Sequence, residues 1–65
     1  MSRRPTLSSE QQQFIVDAAY AAIIRAQDDY RLDESLQTDA RKRFDLAVGM
    51  LRKMGMDPSD LTLEG

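Results

Sequence analysis

FIVDAAYAAIIRA, residues 14–26, is the stretch that decides the fold. Eleven of its thirteen side chains are apolar, and only Asp17 and Arg25 interrupt them. Apolar residues recur from here at Ile15, Ala19, Ala22, Ile23, Ala26 and Tyr30. Those spacings of three and four place them on one face of a helix that advances about 100° per residue. Asp17, Arg25, Asp28 and Asp29 gather roughly opposite, where solvent belongs. Phe14, Ala18, Ala21 and Ile24 lie among these charges as a second apolar strip, and a single partner helix covers a stripe only about 100° wide. The chain therefore has more apolar helix surface than one neighbour can bury.

Outward from this stretch, the helix has a start signal. Ser9 with Gln12 three residues on has the form of a capping box, and Glu10 suits the positive end of the helix dipole. The pattern predicts a first helix over about residues 9–31, preceded by a flexible arm, residues 1–8. Within that arm Arg3-Arg4-Pro5-Thr6-Leu7 has the form of a basophilic kinase site, a pattern short enough to arise by chance. The acidic run from Asp28 to Ser35 ends the periodicity without Gly or Pro, which puts the connection near residues 32–37. Ser35 and Thr38 are candidate caps for the next helix.

A second helix is predicted over about residues 38–54. Ala40, Phe44, Ala47, Leu51 and Met54 alternate spacings of four and three, the seam of a helix packed along another, and Leu36 would extend it backwards. The end is well marked. Gly55 can take the left-handed conformation that closes a Schellman motif, Met56 then faces Leu51, and Arg52 and Lys53 complement the dipole. Gly49, in the helix interior, either sits in open space or marks a close approach. Beyond Gly55, Asp57-Pro58-Ser59-Asp60 reads as a cap with a proline at a first helical position, so residues 56–65 form a tail with a short helical turn. Met56 and Leu61 are the tail residues expected to fold back over the hairpin.

A short link makes two helices antiparallel, so the expected architecture is all-α, a two-helix hairpin over residues 9–55. A chain of 65 residues buries a limited fraction of its surface, and with no Cys and no His it has neither disulfide nor the usual zinc ligands to reinforce it. Association is the remaining route. Alanines at 18, 19, 21, 22 and 26 let backbones approach closely, and Leu46 and Met50 lie to one side of the second seam. These features predict dimerisation into a four-helix bundle, with Phe14, Ala18, Ala21, Ala22, Ile24, Leu46 and Met50 as the oligomer or partner interface.

Chemistry finds little support. General acid–base catalysis most often uses His, and a two-helix chain encloses no pocket for it. No glycine-rich loop opens a helix to cradle phosphate. Asp28, Asp29, Asp33 and Glu34 lack the ligand spacing of a calcium loop and read as solvated connection. The expectation is a protein without enzymatic activity, metal or cofactor. Nine Lys and Arg against eleven Asp and Glu give a net charge of −2, far from the basic excess that draws proteins to polyanions. The longest apolar run is shorter than the roughly 20 residues that span a bilayer, so a cytoplasmic protein is expected.

The leading reading is a small helical adaptor or regulator that homodimerises and binds another protein through its surplus apolar surface. The main alternative rests on Arg41, Lys42 and Arg43, in a helix with five basic and two acidic residues between Thr38 and Met54. Such a helix could contact phosphates. A dimerising hairpin of this length that meets nucleic acid along its helices resembles, in architecture, the Rop type of RNA-binding regulator. Against that, no aromatic is interleaved to stack on bases, and Asp39 with Arg43 at i,i+4 suits an ordinary solvated face. A structural subunit of a larger assembly is the third reading.

Overall fold

The computed structural model describes residues 8–65; the kinase-like pattern at Thr6 lies outside them. Helix α1 runs Ser9–Leu32, a 3-10 turn covers Glu34–Leu36, and helix α2 runs Gln37–Lys53. Among the described residues there is no strand. The two helices form the antiparallel hairpin that the seam spacing predicts, with α1 the longer by about 10 Å at a rise of about 1.5 Å per residue.

Ser8 rather than Ser9 caps α1. Its hydroxyl accepts from the Gln11 N–H at 3.1 Å, and the Gln11 side chain accepts from the Ser8 N–H at 2.9 Å. Both frames, Ser8/Gln11 and Ser9/Gln12, satisfy the same rule, so sequence alone could not separate them. At the other end Asp33 leaves the helix in an extended conformation, φ −147° and ψ 118°. Its carboxylate accepts from the Ser35 N–H at 2.9 Å and the Ser35 hydroxyl at 2.8 Å. Those two hydrogen bonds, to backbone first and hydroxyl second, hold the Asp33 carboxyl below its usual range. This Asp-nucleated turn reverses the chain without Gly or Pro.

The start of α2 differs from expectation. Neither Ser35 nor Thr38 caps it; the cap position is Leu36, whose side chain offers no acceptor. The 3-10 turn feeds directly into the helix, Ser35 is spent on Asp33, and Thr38 already lies inside α2. The Gln37 amide donates to the Tyr30 carbonyl at 3.2 Å and ties the two helix ends together. The far end adopts the expected Schellman geometry. Gly55 has φ 84°, the Met56 N–H donates to Leu51 O and the Gly55 N–H to Arg52 O, each at 3.0 Å.

The core is two linked clusters. Ala19, Ile23, Ala47 and Leu51 form one, flanked by Val16, Tyr20, Phe44 and Val48; Ala26, Ala40 and Leu63 form the other, with Tyr30 and Phe44 against it. Ile23 and Leu51 are the largest fully buried side chains, each contributing about 1.5–3 kcal/mol from burial. Leu36 remains exposed and does not extend the seam. Nothing lies within 4 Å of a Cβ built on Gly49, so the glycine sits in open space.

The tail packs through Leu61, as expected, but not through Met56, and Pro58 and Leu63 join it. Met56 stays exposed, whereas Pro58 and Leu63 are buried and Leu61 is half-buried. There is no helix here, only two hydrogen-bonded turns, in which the Leu61 N–H donates to Pro58 O at 3.0 Å and the Gly65 N–H to Thr62 O at 3.2 Å. The Asp57 carboxylate accepts from the Ser59 N–H at 3.2 Å at the start of the first of these turns. The Gln27 amide donates to Thr62 O at 2.7 Å and fixes the tail across the hairpin.

Candidate interaction surface

A hairpin has two broad faces, and this chain covers one of them. The tail lies on the side of Tyr20, Gln27, Phe44 and Val48, through Leu61, Leu63 and the Gln27–Thr62 bond. On the other side Arg43 stands beside α1, and helical phase places Leu46 and Met50, three and seven residues further on, along the same side of α2. Both are exposed, Leu46 at 64% and Met50 at 43%. An open groove of about 450 Å³ runs there, lined by Ala18, Ala21, Ala22, Arg25 and Arg43.

The candidate interface residues therefore divide. Ala18, Ala21 and Ala22 share the groove, with Leu46 and Met50 along the same face of the hairpin. Phe14, exposed at 74%, lies near the free end of α1 and in phase with Ala18, Ala21 and Arg25. Ile24 is turned about 160° from Ala22 but only about 60° from Ala21, and it lines an adjoining hollow with Ala21, Arg25 and Leu32. Leu32, exposed at 80%, is the residue that sequence reasoning missed. Its position eighteen residues after Phe14, five whole turns, was the available signal, obscured because the predicted helix stopped at 31.

The charged residues also separate. Successive positions 41, 42 and 43 are about 100° apart around α2, so these side chains leave in three directions and form no single cationic face. Arg43 is committed to Asp29 on α1, with Nη2 to Oδ2 at 2.9 Å, rather than to Asp39 one turn earlier. Both members are partly shielded, which favours this cross-helix pair over an exposed i,i+4 pair. Arg31 pairs with Asp28 at 3.0 Å. Asp28, Asp29 and Asp33 are thus engaged separately, and among the described residues no group of three metal-ligating side chains converges. Arg25 makes no ion pair with a described residue. No described helix is long and apolar enough to cross a membrane. Compared with known protein families, curated proteins and solved structures, the chain matches none.

Proposed function

We propose that the chain is a small non-enzymatic interaction protein, an adaptor or regulator, which homodimerises into a four-helix bundle and engages another protein through its remaining apolar helix surface. One observation carries this reading. The tail covers one face of the hairpin while the other leaves Leu46 and Met50 exposed beside an alanine-lined groove. An apolar face of this extent on so small a chain is the usual mark of a contact surface. The dispersal of Arg41, Lys42 and Arg43 weighs against a nucleic-acid role.

The dimer is tested by sedimentation equilibrium between about 1 and 100 µM, with melting monitored over the same range. Mass action requires the melting temperature to rise with concentration when folding and association are linked. The partner is tested by affinity capture from the host. Replacing Leu46 and Met50 with Ser should abolish capture of a specific protein while helicity is retained, whereas replacing Arg41, Lys42 and Arg43 with Gln should leave capture intact. Salt-dependent, sub-micromolar RNA binding lost in the triple Gln variant would overturn the reading.

A further inference from the structure

The tail lies on the hairpin in the manner of a bound peptide. Between Met56 and Gly65 only Pro58, Leu61 and Leu63 are withdrawn from solvent, and every other residue is exposed. Leu61 packs on the cluster of Ile23 and Leu51, Leu63 on Ala26 and Ala40, and the Thr62 carbonyl between them accepts from the Gln27 amide at 2.7 Å. Side chains two residues apart in adjoining apolar seats, with the intervening main chain gripped, are how a groove reads an extended segment.

Charge follows the same line. Arg41, Phe44, Val48 and Arg52 are spaced by three and four and form one stripe of α2, an apolar pair bracketed by two exposed arginines. The tail brackets its leucines in the opposite sense, with Asp60 before and Glu64 after, and carries no Lys or Arg. Because Leu61 lies towards Leu51 and Leu63 towards Ala40, Asp60 enters from the Arg52 end and Glu64 leaves towards the Arg41 end. No direct ion pair joins them, so the match is one of field along the groove rather than of contact.

We propose that this groove is a docking site for an extended acidic segment of another protein, with the tail as its built-in occupant. The segment it fits has two leucines separated by one residue, an acid on either side of the pair, and a proline three residues before the first leucine. Nothing else in the tail is buried, so any chain with that pattern reproduces its contacts side chain for side chain. The site lies across the hairpin from Leu46 and Met50 and does not depend on the partner proposed for that side.

The test uses the full-length chain with Leu61→Ser and Leu63→Ser, which vacates the seat, and a dye-labelled peptide of residues 57–65 followed by fluorescence anisotropy. In wild type the attached tail, at an effective concentration of about 1 mM, excludes the peptide, so the variant should bind it at least about tenfold more tightly. A peptide that keeps only the proline, the two leucines and the two flanking acids on an alanine background should bind within about fivefold of it. Exchanging those acids for Asn and Gln should weaken binding about threefold or more at low salt, and little in about 0.5 M salt. If the variant is unfolded alone, the peptide should restore its helical circular dichroism, because only the folded hairpin offers the groove. A folded variant that binds no more tightly than wild type, or an unfolded one that about 1 mM peptide does not restore, would overturn the proposal. So would an acid-free peptide that binds equally well at low salt, or an alanine-background peptide that fails where the tail's own sequence succeeds; the groove would then be a seat for the tail alone.

Discussion

Leu63→Ala is the sharpest test of whether the C-terminal tail belongs to the fold. Leu63 is buried in a cluster with Ala26 and Ala40, bordered by Tyr30 and Phe44. The substitution removes three carbons from this site, which at about 0.8 kcal/mol per buried methylene equivalent amounts to about 2.4 kcal/mol before any cavity penalty. Because the site lies under a short tail that can settle, the cavity contribution should be small and the total about 2.5–3 kcal/mol, the lower part of the range for buried Leu→Ala changes. A chain of this size has only about 3–10 kcal/mol of total stability, so the loss is a large share of it. Each kcal/mol shifts melting by about 4–8 °C in domains this small, which predicts a fall of about 10–20 °C. Circular dichroism at 222 nm, at one fixed protein concentration, measures it. Met56→Ala is the control; its side chain is exposed and should shift melting little. A Leu63→Ala variant that melts within about 3 °C of wild type would mean that the tail does not clamp the hairpin, and the account of the second core cluster would fail.

Gly49→Ala should stabilise the chain by about 0.5–1 kcal/mol, since a Cβ there meets nothing within 4 Å; a destabilised variant in urea titration would mean that another chain packs against that side. A double-mutant cycle on Asp29 and Arg43 should give a coupling of about 0.5–1 kcal/mol that diminishes in 1 M salt, as befits a pair neither fully buried nor fully exposed. Asp33 has a folded-state pKa depressed below its unfolded value, so its contribution is present above that unfolded value and is lost as pH falls through the folded one. Melting temperature should therefore decline below about pH 4. In Asp33→Asn that part of the decline should vanish, and an identical acid limb in both proteins would refute the role given to the carboxylate.

What was legible in the sequence depended on how local the determining interaction is. The Schellman end at Gly55 results from a backbone conformation that glycine alone adopts freely, with both hydrogen-bond partners within five residues, and its backbone geometry was predicted, although the Met56 side chain expected over Leu51 stays exposed. The burial of Ala40, Ala47 and Leu51 could be read from spacing, because a seam must repeat along the helix to face its partner. Arg43 shows the limit. The local rule pointed to Asp39 one turn away, but tertiary packing brought Asp29 closer and in a more shielded setting. Leu63 shows it again, since nothing periodic surrounds it and its burial depends on a chain path that returns across thirty-odd residues to Gln27. For the candidate surface, the surplus of apolar side chains was legible. Their division into an alanine-lined groove, an adjoining hollow at Ile24 and Leu32, and Phe14 near the free end of α1 required knowing which face the tail takes.

The tail's mode of attachment has a kinetic consequence. It is held by two leucines, one proline and a single hydrogen bond from Gln27, without the repeating amide ladder that holds each helix. Segments joined in this way release as a unit before the rest unfolds. The Leu61 amide, bonded only to Pro58 O, should then exchange with deuterium much faster than amides in the middle of α1, and its opening should leave the hairpin intact. Each such opening uncovers Tyr20, Phe44 and Val48 to water. The molecule thus has a second apolar face in reserve, shown for only a small fraction of the time, and any ligand able to hold it open would compete directly with the chain's own last residues.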